Sequence, residues 1–418
     1  MKDSPEIPQE SAHRYPTGAL FVAVATGYLA AVHFPQILAL LGLNTDGRWF
    51  IDSAAILAAA DAVRAGADPW LPNPLDIYGR PHCYSGWWLG LAATGLTRDH
   101  NFFFGSLWVA AFLVSAFFLL RPASFTRAAV FAAALLSPPV LLAVNRANND
   151  LVVFAVLVTG LGWLKQDTAP RDGAFAGAVA IATGLKFYPI VAAAAFLLRK
   201  PTPRAWRLTL LAGLAGALAM ATSSVDRAIG TMPVPGGLHT FGATIALDLL
   251  GLPGIPARAG AALFLAGLAA ACALLGWGPR PPRPFQAGPA QFAYVTGVAL
   301  LTGCFLVTGN YAYRLIFALL LIPHLASPAS GRGGRATLGL LLAVLWLDGL
   351  YCLVHNASLG PRPAADIAAG DALWLTATQP VAWITVALLT ASLFPLAAPA
   401  RPTSRGGTDC LRQLRSAA

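Results

Sequence analysis

The chain has 418 residues, of which 57% are hydrophobic and 11% are charged, and its formal net charge is +10. Soluble domains carry about 25% charged residues, so this composition excludes a soluble globular protein and predicts an all-α polytopic membrane protein. The basic residues fall in short clusters between apolar runs, where the positive-inside rule places them, and this pattern excludes nucleic acid as a partner.

Eleven apolar runs predict a single domain, residues 1–398, with about 11–12 transmembrane segments. They lie at about 18–43, 101–120, 128–144, 151–164, 174–198, 207–222, 257–277, 291–307, 311–326, 336–354 and 376–398. The intervening basic clusters then belong in the cytoplasm, together with both termini and the basic tail, residues 399–418. The richness in Ala, Gly and Arg indicates a bacterial protein, which would be multi-pass in the inner (plasma) membrane.

Residues 44–100 form the predicted first outer loop, which is large and contains a surface helix. From Asp52 an Ala-rich segment keeps helical apolar spacing as far as Gly66, a residue type that commonly follows a helix end. A carboxylate near a helix start fits the helix dipole. Asp52 is therefore either an N-terminal cap or a general base at the membrane surface.

Lys186 lies in the apolar stretch Ala174–Leu198, which has basic clusters at both ends. If this stretch crossed the membrane once, all later basic clusters would lie on the outer side, against the positive-inside rule. We therefore predict a broken, re-entrant helical hairpin with arms of about 12 residues and Lys186 at its tip. An ammonium at membrane depth is costly and marks a functional site with an anionic partner. The alternative partner is a neighbouring carboxylate such as Asp150 or Asp348.

The polar residues in or beside the apolar runs fall on the predicted outer side, which favours an outward-facing polar cavity. The candidate substrate-binding residues are Asn145, Arg146, Asn149, Asp150, Lys186, Tyr188, Asn310, Tyr311 and Arg314. Arg314 is either an interface anchor or, with Lys186, a ligand of a shared anion such as a lipid phosphate. Arg146 is either a solvated loop charge or a third such cation.

The segment Asp52…Gly66-Ala-Asp68-Pro69-Trp70 resembles the first outer loop of glycosyltransferase family 87, which has the GT-C membrane fold. The turn Asn145–Asp150 and the segment Gly184-Leu-Lys186-Phe-Tyr188-Pro189 also resemble that family, so the similarity covers roughly residues 45–210. The chain departs from it in a late outer turn. There the family often has a His-containing motif, and this chain reads Gly309-Asn310-Tyr311-Ala-Tyr313-Arg314.

The resemblance implies a GT-C-like bundle, a polyprenyl-phosphate-linked sugar donor, an active site on the outer face and Asp52 as the general base. We therefore predict a metal-independent, inverting, mannosyltransferase-like enzyme without a cofactor. Its acceptor would be a lipid or a glycan, and membrane lipids would surround it as further partners. Lys186, Arg314 and Arg146 would stabilise the departing lipid phosphate, and Tyr188, Asn310 and Tyr311 would bind the sugar. Two alternatives stay open: a secondary transporter or flippase for an anionic or lipid-linked substrate, and an inactive GT-C-fold lipid-binding protein.

Overall fold

The computed structural model describes residues 9–43, 47–165, 167–199, 201–233, 238–245, 255–282, 288–307, 310–359 and 369–397. The predicted basic tail lies outside these residues. In the described part of the chain the α-helices are α1 (Gln9–His33), α2 (Gln36–Leu40), α3 (Ile51–Arg64), α4 (Asn101–Leu119), α5 (Phe125–Leu135), α6 (Pro138–Arg146), α7 (Asp150–Trp163), α8 (Ala169–Lys186), α9 (Thr202–Ala221), α10 (Val225–Thr231), α11 (Ile255–Leu274), α12 (Pro289–Val307), α13 (Ile322–Leu325), α14 (Gly331–Leu359), α15 (Ala369–Ala391) and α16 (Phe394–Ala397).

Shorter elements connect these helices. The 3₁₀ helices cover Gly86–Thr94, Arg98–His100, Tyr188–Leu198, Ala312–Leu320 and Pro328–Ser330. Two short strands, β1 (Thr240–Phe241) and β2 (Asn310–Tyr311), pair antiparallel with Thr240 opposite Tyr311 and Phe241 opposite Asn310. This pairing fixes the start of the 3₁₀ helix that carries Arg314.

Among the described residues, six helices are long and apolar enough to cross a membrane. Two bent pairs, α5 with α6 (52°) and α9 with α10 (67°), raise that number to eight when each pair is taken as one span. The chain is therefore an all-α, multi-pass membrane protein, as its composition predicted. The number is lower than the 11–12 predicted segments because some apolar runs form short helices: α7, with 14 residues, is about 21 Å long, less than a hydrocarbon core of about 30 Å.

Helix α3 lies where a surface helix from Asp52 to Gly66 was predicted, but its apolar side packs against the protein. Ile56 and Leu57 are fully buried under other parts of the chain, including the 3₁₀ helix Gly86–Thr94. The helix is fixed at its start because the backbone N–H of Phe50 donates to the carbonyl of Asn145 at 2.7 Å. After its end, Gly66 adopts a φ of +73°, as predicted for a glycine that follows a helix.

The predicted hairpin around Lys186 is formed by α8 and the 3₁₀ helix Tyr188–Leu198. The rings of Phe175 and Phe196, one on each arm, have centroids 5.2 Å apart, so the arms run side by side in opposite directions. The first arm is longer than predicted: α8 begins at Ala169 and its 18 residues span about 27 Å. The chain reverses at Phe187, whose φ is 55°. The next residue, Tyr188, precedes Pro189, and a residue before proline disfavours the α-helical conformation.

Two buried charges close the open end of this hairpin. Arg199 Nη2 lies 2.7 Å from Asp172 Oδ1, and the two side chains are 6% and 1% exposed. Arg204 on α9 contacts the other oxygen of the same carboxylate at 2.5 Å. The hairpin is therefore held at its base by an ion pair and along its length by aromatic packing, and these contacts fix the position of its tip.

Candidate functional site

The outer loop binds the last turn of α8 and so orients the hairpin tip. The hydroxyl of Ser85 donates to the carbonyl of Gly184, and the indole N–H of Trp88 donates to the carbonyl of Leu185 at 3.2 Å. These are carbonyls that a helix end leaves without an internal partner. The ring of Trp87 covers Gly184 so closely that a Cβ there would lie 2.2 Å from it. Glycine at this position therefore lets the loop approach the hairpin.

Lys186 points from the tip into the turn that joins α6 to α7. Its Nζ lies 2.8 Å from Asp150 Oδ1 and 2.8 Å from Asn148 Oδ1, and the residue is 6% exposed. The ring of Tyr313 lies 5.2 Å from the ammonium. Of the two partners considered from the sequence, a neighbouring carboxylate is therefore the one observed, and Asp150 neutralises Lys186 within the protein.

Asp52 is buried and its carboxylate is bound by two cations. Arg146 donates to both oxygens, from Nε to Oδ2 at 3.0 Å and from Nη2 to Oδ1 at 2.8 Å, and Arg80 Nη1 lies 3.7 Å away. Burial favours the neutral acid, but Arg146, Arg80 and a hydrogen bond from Asn148 outweigh it and lower the pKa of Asp52 below its ordinary value. The N-cap of α3 is Phe50, so Asp52 does not serve as the cap.

Asn148 links the acid to the amine. Its Nδ2 donates to Asp52 Oδ2 at 2.6 Å, and its Oδ1 accepts from Lys186 Nζ at 2.8 Å. The turn takes this shape because Ala147 adopts a left-handed conformation with φ 42° and ψ 56°. That conformation directs the side chains on both sides of Ala147, Arg146 and Asn148, to the same carboxylate.

Arg314 lies at the other end of these contacts. It donates to Asn310 Oδ1, and its guanidinium lies 4.9 Å from the ring centre of Tyr188, whose hydroxyl donates to Asp150. The Nε of Arg314 is buried without a hydrogen-bond partner. Among the described residues, no carboxylate oxygen lies within 4.0 Å of Arg314. Arg314 is thus a cation without an anionic partner in the described structure.

These contacts form one continuous set, which we call the tip network. Its members are Arg80, Asp52, Arg146, Asn148, Lys186, Asp150, Tyr188, Arg314 and Asn310. Arg80 is also bound by Asp76, at 2.9 Å. Four cations therefore face three carboxylates, and the surplus positive charge belongs to the Arg314 end.

The two remaining asparagines of the turn lie beside the network without a hydrogen bond to it. The side-chain Nδ2 of Asn145, both polar atoms of Asn149, and Oδ2 of Asp150 are buried without a partner. Buried polar groups normally have a hydrogen-bond partner, so these atoms indicate places where a ligand or water completes the site.

The more exposed wall of the site is formed by Tyr311, Arg146 and Arg80. Tyr311 lies 5.8 Å below the guanidinium of Arg146 and stacks on Tyr313 with centroids 5.5 Å apart. The side chains of Arg146 and Arg80 are 23% and 25% exposed, so this wall is where solvent reaches the network. All predicted site residues thus lie in or beside one region.

Sequence reasoning assigned no site role to three residues of this region: Arg80, Asn148 and Tyr313. Asn148 and Tyr313 belonged to polar turns that were recognised, but Arg80 lies in a long loop without a pattern that selects it. Asp348 and His355, two other polar residues near span ends, lie on α14 and are not members of the tip network. Asp348 instead accepts a hydrogen bond from the indole of Trp374 at 3.0 Å.

Comparisons with known proteins give no relative: no family model, no curated protein and no solved structure matches the chain significantly. Within the described residues, no group of three or more His, Cys, Asp or Glu side chains is placed to hold a metal ion.

Proposed function

We propose that this protein is a glycosyltransferase that moves a mannose-like sugar from a polyprenyl-phosphate donor to a lipid or glycan acceptor. The site would face the extracytoplasmic side of a bacterial plasma membrane, with both termini in the cytoplasm. The observation that carries the proposal is that one buried network joins a carboxylate, Asp52, to a cation without a carboxylate, Arg314. The resemblance of residues 45–210 to glycosyltransferase family 87 supports the same activity.

Arg314 is the cation best placed to receive the donor phosphate. A guanidinium binds phosphate through several parallel hydrogen bonds, and its buried Nε lacks a partner. Lys186 is already neutralised by Asp150, so it contributes by holding that carboxylate and Asn148 in place. A phosphate at the Arg314 end would compensate the surplus positive charge of the network. It would also stabilise the negative charge that develops as the sugar leaves.

Asp52 would act on the acceptor side. The acceptor oxygen forms a bond to the anomeric carbon while the bond from that carbon to the phosphate oxygen breaks. The bonding electrons leave with the polyprenyl phosphate, and the hydroxyl proton passes to Asp52. The configuration inverts because the acceptor oxygen attacks the face of the anomeric carbon opposite the phosphate. With Arg146 and Arg80 beside it, the pKa of Asp52 lies below its ordinary value, so the carboxylate is a weak base until Arg146 moves away.

Arg146 occupies both oxygens of Asp52 in the structure, so it must move before that proton transfer. A donor phosphate offers a second anion to the same guanidinium and can compete for it. Tyr311, over which Arg146 lies, and the unpartnered amides of Asn145 and Asn149 then provide stacking and hydrogen bonds for the sugar.

The test is transfer of label from radiolabelled polyprenyl-phosphate sugars to membrane lipids by the purified protein. We expect Asp52→Asn to lower turnover by about 10²–10⁴-fold, the usual contribution of a general base. Asp61→Asn is the matched control, because Asp61 lies on the same helix and pairs with Arg64 and Arg98. Turnover of Asp52→Asn at the wild-type rate would rule out the assignment of the base.

A second candidate is an inactive GT-C-fold protein that binds lipid phosphate. It is favoured by one observation, the complete occupation of the Asp52 oxygens by Arg146 and Asn148. In that case wild-type protein transfers no label. Binding of polyprenyl phosphate then persists in Asp52→Asn and is lost in Arg314→Gln.

A further inference from the structure

A second polar cavity lies beside the strand pair β1–β2, between α14 and α15. Its volume is about 30 Å³, which is room for about two water molecules. The polar residues of its wall include His239, Asp348 and Gln379, none of which belongs to the tip network. Its remaining wall is mostly apolar and includes Ala312 and Leu315, on the same 3₁₀ helix as Arg314.

His239, which lines this cavity, carries a buried hydrogen-bond acceptor. Its Nε2 lies 2.8 Å from the carbonyl oxygen of Leu41, which can only accept, so Nε2 carries the proton. Nδ1 is then a bare lone pair, and it is buried without a partner in a residue that is 6% exposed. The backbone of His239 has a φ of 60° and is held there because its carbonyl accepts from the N–H of Ala312 at 2.7 Å.

Two further acceptors lie in the same wall. The side-chain oxygen of Gln379 is buried without a hydrogen-bond partner, and the residue is 7% exposed. Asp348 accepts one hydrogen bond, from the indole of Trp374. In the part of the chain that the structure describes, no Lys, Arg or His nitrogen lies within 4.0 Å of its carboxylate.

Asp348 belongs to a helix long enough to cross a membrane, at Pro328–Ser358. A carboxylate at such a position is costly unless a positive charge accompanies it. Water in the cavity would donate hydrogen bonds to all three acceptors but would bring no positive charge to the carboxylate. An anion would be repelled by the Asp348 carboxylate, and a quaternary ammonium has no N–H to donate.

We propose that this cavity binds a primary ammonium group. The group carries the charge that Asp348 lacks, and its three N–H donors correspond to the three acceptors of His239, Gln379 and Asp348. The ammonium can belong to the ethanolamine headgroup of a phospholipid or to a soluble amine. This site stands independently of the proposed sugar transfer, because it uses none of the residues assigned to that reaction.

The experiment compares a primary amine with its trimethylated analogue in two arms. In the lipid arm, the protein is placed in nanodiscs that contain phosphatidylethanolamine or phosphatidylcholine, and retained lipid is measured by native mass spectrometry. In the soluble arm, delipidated protein in detergent is titrated with ethanolamine or choline, and its unfolding temperature is followed. We expect at least a tenfold preference for the primary amine, and the arm that responds identifies the source.

Asp348→Asn should abolish that preference. Asp371→Asn is the matched control, because Asp371 lies on α15 and bonds the hydroxyl of Tyr351 without lining the cavity. Gln379→Leu provides a second variant that keeps the carboxylate, and it should weaken binding of the primary amine at least tenfold.

Equal responses to the amine and its trimethyl analogue overturn the proposal, as does the absence of any response in the wild type. A preference retained in Asp348→Asn also overturns it. If Asp348→Asn does not fold, the lipid preference of Gln379→Leu is measured by mass spectrometry in its place. A preference in that variant equal to that of the wild type would also overturn the proposal.

Discussion

Arg146 binds both carboxylate oxygens of Asp52 from a turn 94 residues away along the chain. The side chain of Asp52 is 1% exposed, so this pair largely lacks compensation by solvent. Loss of one partner of a buried pair leaves a buried charge, which typically costs about 3–5 kcal/mol. The Arg146–Asp52 pair therefore affects the stability of the fold as well as the proposed reaction, and separate measurements can distinguish these two effects.

We expect Arg146→Gln to lower the unfolding temperature markedly and to raise the pKa of Asp52, because the cation that lowers it most is removed. The double variant Asp52→Asn/Arg146→Gln should be more stable than the sum of the single effects implies, since neither charge is then left alone. Thermal unfolding of the four proteins measures the coupling. Additive effects of the two changes would show that the pair contributes no interaction energy.

Gly184→Ala should destabilise the protein by about 1–3 kcal/mol, because the new methyl group would overlap the ring of Trp87. Gly177→Ala is the matched control on the same helix, where a Cβ meets no atom within 4 Å. That change should be neutral or stabilising by up to about 1 kcal/mol, because alanine is the better helix former. Unfolding temperatures of the two variants test this, and equal shifts would mean that the loop does not press on the hairpin tip.

Asp172→Asn should destabilise the base of the hairpin by about 3–5 kcal/mol, because it leaves the buried guanidinium of Arg199 with a weaker partner. Asp167→Asn is the comparison, because Asp167 contacts the same two arginines but is 53% exposed. An exposed pair contributes at most about 1 kcal/mol, so this variant should behave almost as the wild type. Similar unfolding temperatures for both variants would contradict the structural role of Asp172.

Stability should fall as pH decreases from about 6.5 to about 4, because burial lowers the pKa of His82 from its ordinary 6.5 to about 4. In that window the unfolded chain binds a proton that the folded protein does not, so acid favours unfolding. Below the lower pKa the effect is complete. His82→Phe should remove this part of the pH dependence of the unfolding temperature, whereas His100→Gln, on the exposed 3₁₀ helix Arg98–His100, should keep it.

The hairpin and the helical fold were predictable because they follow from regular signals. Basic residues at both ends of one apolar stretch required a reversal, and Pro189 indicated where the helix had to stop. The location of the tip network was predictable for a related reason. An apolar chain has few polar residues, and those at the ends of neighbouring spans lie close together once the spans pack. The hydrophobic spacing of α3 showed that one side of this helix is buried. It did not show that other parts of the protein, and not a membrane, bury that side.

The pairing inside the tip network was not predictable from the sequence. Lys186 could meet Asp150, Asp348 or a ligand, and the choice depends on the left-handed backbone at Ala147 and on the position of the hairpin tip. Arg80 was missed because its link to Asp52 joins two parts of a long loop whose path no periodicity describes. Such pairings depend on distances of a few ångströms between segments that are remote in sequence.

One short 3₁₀ helix, Ala312–Leu320, borders both polar sites: Arg314 belongs to the tip network, while Ala312 and Leu315 line the other cavity. The backbone of Ala312 is bonded to His239, and Asn310 joins strand β2 to Arg314. A ligand that displaces the first turn of this helix at one site would therefore shift residues of the other site. By thermodynamic reciprocity, an anion held at Arg314 and an amine held at Asp348 would alter each other's affinity by the same factor.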